Sequence, residues 1–140
     1  MTYQRIFGTL LLTLLLLVAC STNFDIDNSE VNKIRVSYFT EFGSVDENFE
    51  EDFLYFEEKE DITNFVNAIH KSKPIHGDVD MPKPDYNLTL EFEESVSKSF
   101  HLWINPEYST GTIVDIDDTA TAYKLTKKST EIIRSLLLIQ

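Results

Sequence analysis

The sequence predicts an α+β domain: a mainly antiparallel sheet of five to six strands with two helices packed on one face. Three observations predict it. Several segments alternate apolar and polar residues with the period-two pattern of half-buried strands. Two other segments carry apolar residues at helical spacing. The connections between the later strands are short, which suits antiparallel neighbours better than parallel crossovers.

The elements follow in order. The first strand spans about Lys33–Phe39, where Ile34, Val36 and Tyr38 alternate with Lys33, Arg35 and Ser37. An acidic connection over 41–52 leads to Phe53-Leu54-Tyr55-Phe56, a short strand apolar on both faces. A helix begins at Asp61, with Ile62, Phe65, Val66 and Ile69 on one stripe. Acidic residues at 57–61 suit its N-terminal dipole end, Lys71 and Lys73 suit its C-terminal end, and Pro74 is expected to stop it.

Residues 73–85, with Pro74, Gly77, Pro82 and Pro84, read as a loop. Tyr86–Phe92 is the cleanest amphipathic strand, placing Tyr86, Leu88, Leu90 and Phe92 opposite Asn87, Thr89 and Glu91. A turn near Glu94 and Ser95 leads to a strand over about Lys98–Ile104, with Phe100, Leu102 and Ile104 on one face and His101 and Trp103 on the other. Further strands cover about Thr112–Ile116 and Ala120–Leu125. Ser129 reads as the N-cap of a closing helix whose apolar side is Ile132, Ile133, Leu136 and Leu137. With both helices on one face, the face bearing Asn87, Thr89, Glu91, His101 and Trp103 is expected to stay partly open to solvent.

The N-terminus belongs to a different kind of segment. A short n-region with Arg5 precedes the leucine-rich run Ile6–Val18, and Leu17-Val18-Ala19-Cys20 closes it. The run is thirteen residues, too short for a spanning helix, which needs roughly 20. It has the form of a secretory signal, and the small Ala19 directly before Cys20 makes that signal a lipobox. Cleavage then falls between Ala19 and Cys20, and the Cys20 thiol carries a diacylglyceryl group, the one covalent cofactor expected. Residues 1–19 are thus signal, 20–31 the lipidated cysteine and tether, and 32–140 a single α+β domain. A flexible tether of that length reaches roughly 20 Å. The expected location is the outer face of the cytoplasmic membrane.

Composition bounds the partners. The chain carries 24 acidic and 12 basic residues, for a net charge of −12. That balance argues against nucleic acid, whose binding rests on Lys and Arg neutralising phosphates. The single cysteine is the lipidation site, so the domain relies on apolar packing for stability, with 10 Phe and 6 Tyr to supply it.

Four segments carry a family resemblance: Gly77-Asp78-Val79-Asp80-Met81, Pro84-Asp85-Tyr86, Leu102-Trp103-Ile104 and the run from Gly111 to Leu125, with its Asp118-Thr119-Ala120-Thr121-Ala122-Tyr123 core. Together they resemble the YhfM-like domain of lipoproteins in Bacillus-type bacteria, over roughly residues 31–138. The resemblance implies a lipoprotein and a host type. It transfers no catalytic or binding residue.

The residues themselves offer a few candidate sites. Asp115 and Asp117 fall on one strand face and could share a hard cation such as Ca²⁺, although they lack EF-hand spacing; the competing reading is a strand end whose Asp118 or Thr119 bonds backbone groups. His70, His76, Asp78 and Asp80 cluster in sequence without a recognised zinc spacing, so no metal is assigned. No nucleophile motif is present. Trp103, with His101 and Asn87 beside it, is the candidate binding group: it is either an exposed contact anchor or part of the core beneath a helix or loop. The expected function is a non-catalytic interaction domain for an envelope protein, peptide or wall component. The alternative is a metal-dependent or envelope-acting enzyme that uses the acidic loop residues.

Overall fold

The computed structural model describes residues 26, 30–40 and 53–138. The lipobox with Ala19 and Cys20, most of the tether, and the acidic connection 41–52 lie outside these residues.

Seven strands and two helices are present among them: β1 Val31–Tyr38, β2 Phe53–Phe56, α1 Lys59–His70, β3 Lys73–Pro74, β4 Tyr86–Phe92, β5 Ser97–Trp103, β6 Thr112–Asp115, β7 Ala122–Lys124 and α2 Lys127–Leu138. The strands form one sheet in the order β2-β1-β4-β5-β6-β7-β3, with every neighbouring pair antiparallel. The α+β class with two helices on one face is therefore as the periodicities predict, with one strand more than the expected five to six.

Strand alternation builds the core. Ile34, Val36, Leu88, Leu90, Phe100, Leu102 and Ile113 lie on the helix side of the sheet and are all essentially inaccessible. Phe65, Val66 and Ile69 from α1 and Ile133 and Leu137 from α2 pack onto them. Burying side chains of this size contributes about 1.5–3 kcal/mol each before chain entropy is counted. The core also takes in Ile26. Tyr38 shares the parity of Ile34 and Val36 but is 69% exposed and stacks on Tyr86 with ring centroids 5.2 Å apart.

Four local expectations are corrected. Helix α1 ends at His70, and Ser72 N–H already bonds the Ile69 carbonyl, so Pro74 is not its stop. Pro74 instead lies in the two-residue edge strand β3, paired with β7 through Lys73↔Lys124 and Pro74↔Tyr123; an edge is where a proline is tolerated in a sheet. The cap of α2 is Thr126, not Ser129: the Ser129 N–H donates to Thr126 Oγ1 at 3.0 Å and the Thr130 N–H to the Thr126 carbonyl at 2.9 Å. Finally, the face expected to be open is closed at Asn87 and Thr89, which are 5% and 3% exposed.

Candidate functional site

The unforeseen strand β3 decides what happens on the second face of the sheet. It holds the chain at the sheet edge beside β7, where Ile75 N–H extends the pairing by donating to the Ala122 carbonyl at 2.8 Å. Ten residues later Asp85 N–H donates to the Leu102 carbonyl of β5 at 3.0 Å. The segment between must cross from one edge to β5. Its turn at Gly77 has φ +98°, in the left-handed region that favours glycine. It is fastened near its far end by the Trp103 indole, whose Nε1–H donates to the Pro82 carbonyl at 2.8 Å. Pro82 and Pro84 limit its backbone freedom.

Residues 77–82 thus form a strap over the face that carries His101 and Trp103. Beneath it lies a cavity of about 520 Å³, within the size range of ligand pockets. Its floor is Trp103, His101, Val114 and Ala122, and the turn residues Thr119 and Ala120 complete the lining. Register explains the floor, since His101 pairs with Val114 and Val114 with Ala122. Side chains at paired positions share a face.

Two cross-strand pairs of polar side chains on this face bond one another. His101 Nδ1 lies 2.9 Å from Asn87 Oδ1; because the oxygen can only accept, the ring nitrogen is the donor. The pair follows from the register Asn87↔His101. Phe39 meets the His101 ring edge-on at 5.4 Å and Trp103 does so at 6.2 Å. Burial holds the His101 pKa below its ordinary 6.5, so the imidazole is neutral near pH 7. Thr89 and Ser99 hydroxyls bond at 3.0 Å on the next rung. Further along, Arg35 lies 3.6 Å from Glu91.

Trp103, His101 and Asn87 are therefore brought together, and the 73–85 segment joins them. Trp103 is neither an open anchor nor core: it is half-buried and lines the cavity. Asp115 and Asp117 are not part of this group. Asp115 pairs with Phe100, a core-facing position, so it projects to the helix side, where its carboxylate meets Lys98 Nζ at 3.0 Å. Its other oxygen accepts the Asp117 N–H at 2.9 Å. Asp115 and Asp117 do not share a strand face, because the strand ends at Asp115 and Asp117 is exposed. Asp118 accepts the Ala120 N–H at 3.2 Å, the turn-forming role anticipated for it. Among the described residues no three His, Cys, Asp or Glu side chains converge as a metal site; His70 and His76 are exposed on separate segments.

Val114 and Ala122 line the cavity without any sequence signal that marks them as site residues. The alternation Ile113/Val114 marks Val114 as facing away from the core, but only the β5–β6–β7 register shows which residues it joins.

A second set of contacts fixes the turn that follows β5. Arg134 of α2 donates to the carbonyls of Ile104 and Tyr108 at 2.8 and 2.7 Å, and also to that of Asn105. Asp85 accepts the Ile104 N–H at 2.7 Å. Gly111 N–H donates to Thr130 Oγ1 at 2.8 Å. These bonds hold the 104–111 turn and, with it, the end of β5 that carries Trp103.

Comparison with known proteins agrees with this architecture. The family model described as YhfM protein matches residues 26–139. No curated protein matches the chain. Among solved structures, a thioesterase-like protein from Clostridium sporogenes is similar, with a TM-score of 0.59 and 18% identity, covering 81% of this chain and 98% of that one. At that identity the likeness concerns the fold alone. No helix among the described residues is long and apolar enough to cross a membrane.

Proposed function

The chain belongs to the YhfM protein family, and we propose that it is a lipid-anchored, extracytoplasmic binding domain whose binding site is the cavity beneath the 77–82 strap. One observation carries the reading: a segment pinned at both ends borders, with Trp103 and His101, a half-open cavity of about 520 Å³. A mixed lining of apolar side chains with a few polar groups is what small-ligand sites use. The lipobox at Leu17–Cys20 supports the anchor. In this reading attachment rests on the acyl chains, at about 0.8 kcal/mol per buried CH₂.

The acidic-residue enzyme reading draws no support from the geometry, since Asp115 is paired with Lys98 and Asp117 turns outward. From the thioesterase-like neighbour only the fold is carried over.

Trp103 is the only tryptophan of the chain, so its fluorescence reports the cavity without ambiguity. The test is a panel of small cationic, neutral and anionic probes added to the full-length chain in detergent micelles. At least one class should change Trp103 emission saturably, and Ala120→Phe, at an exposed cavity-lining position, should abolish the response without changing the far-ultraviolet circular dichroism. If no class acts, or if Ala120→Phe responds like the parent, the cavity is not the site.

A further inference from the structure

We propose that the cavity takes an organic cation, an ammonium or guanidinium head on an apolar stem. This rests on the cavity being the binding site and adds the chemistry of its occupant. The charged residues that line the cavity are Asp78 and Asp80, both carboxylates on the strap; no Lys or Arg lines it. Asp117 and Asp118, both exposed, directly precede the lining residues Thr119 and Ala120 in the chain and add to the local negative charge. The remaining charge-capable liner, His101, has its Nδ1–H tied to Asn87. The apolar lining is Trp103, Val114, Ala122, Val79 and Met81.

The two halves select for one ligand chemistry. An anion would enter against two carboxylates with no cation to meet it, in a chain of net charge −12. A neutral apolar ligand would use the floor and gain nothing from Asp78 and Asp80, which are exposed and stay hydrated. A cation on an apolar stem matches both: its head forms charge-assisted bonds with the carboxylates, and its stem lies on the aromatic and aliphatic floor, where Trp103 adds attraction for a nearby positive charge. The volume, about 520 Å³, exceeds one lysine side chain, so the occupant is either a free amine of some size or a lysine presented with its neighbouring residues.

The experiment follows Trp103 emission of the full-length chain in micelles with four probes: phenethylammonium, phenylethanol, phenylpropionate and acetyl-Ala-Lys-Ala-amide. Phenethylammonium is expected to bind more tightly than the alcohol by about tenfold, the equivalent of one charge-assisted contact, and the carboxylate weakest of all. Raising salt should weaken the ammonium and leave the alcohol unchanged. The double variant Asp78→Asn/Asp80→Asn, at two exposed positions, should erase the preference while retaining the alcohol's affinity. If the tripeptide binds more tightly than the free amine, the source is a polypeptide; the reverse order makes it a small molecule. Equal binding of amine and alcohol, or a preference that survives in the double variant, overturns the cation assignment and leaves the cavity standing as a site. Silence of all four probes overturns both.

Discussion

The indole N–H of Trp103 and the carbonyl of Pro82 are 2.8 Å apart, and this bond ties the second face of the sheet to the strap that covers it. Without it the strap would depend on the bonds at its ends, at Ile75 and Asp85. Trp103→Phe keeps an aromatic floor and removes the donor. The expected loss is about 1 kcal/mol, the usual net worth of such a bond, seen as a lower urea midpoint. Amide exchange should accelerate at residues 77–82 and not in the core strands. Unchanged exchange in the strap would show that the bond does not hold it.

His101 makes stability depend on pH. Burial lowers its folded-state pKa below 6.5, so the unfolded chain takes up a proton first as pH falls. The contribution is fully present above the unfolded pKa and is lost as pH drops through it toward the folded value. The urea midpoint is expected to fall between about pH 7.5 and pH 5.5, and His101→Gln should flatten that slope. A variant whose midpoint falls as steeply as the parent's would assign the slope to other groups.

Gly111 is a position where even a methyl group is too much. A Cβ there would lie 2.6 Å from the Trp103 carbonyl, 2.9 Å from Ile104 Cγ2 and 3.0 Å from Leu125 Cδ1. Its N–H and carbonyl are also engaged, by Thr130 Oγ1 and the Leu125 N–H, so the backbone has little room to yield. Gly111→Ala is expected to cost about 1–3 kcal/mol through overpacking, read from chemical denaturation. A cost within experimental error would mean that the β5–β6 turn can shift freely.

Arg134 separates geometry from charge. Its guanidinium reaches the carbonyls of Ile104, Asn105 and Tyr108 from one side chain. Lysine retains the charge but lacks the planar fork. Arg134→Lys should lower stability by about 1–2 kcal/mol and speed exchange across residues 104–111. Full stability in the lysine variant would indicate that the charge alone suffices.

The anchor is tested at Cys20. Cys20→Ser is expected to block incorporation of labelled palmitate and to leave the precursor uncleaved at Ala19. A mature, membrane-bound serine variant would exclude the lipobox.

Much of the fold was legible in the sequence because alternation is a local property. Ile34/Arg35/Val36 and Leu88/Thr89/Leu90 declare which side chains face the core whatever the neighbouring strands are, since successive residues point to opposite faces. The stripe of Ile62, Phe65, Val66 and Ile69 does the same for α1. The strand β3 was not legible: Lys73-Pro74 is too short to show a period, and its extended conformation comes from pairing with Tyr123 and Lys124, some fifty residues away. Ser129 has the side chain of a good cap, but the helix starts at Lys127, and the hydrogen bond from the Ser129 N–H to Thr126 Oγ1 makes Thr126 the cap.

By itself, then, the sequence determined the faces of the main strands: that Ile34, Val36, Leu88 and Leu90 point to the core, that Trp103, His101 and Asn87 lie on the opposite side, and that the domain has no thiol beyond Cys20. Tertiary structure decided what that opposite side became. The β5–β6–β7 register placed Val114 and Ala122 beside His101, the pairing of β3 sent the acidic strap across them, and Asp115 turned to Lys98 on the far side. The reason is physical. Which face a side chain takes depends on its immediate neighbours in the chain, whereas a cavity depends on which distant segments pair and in what register.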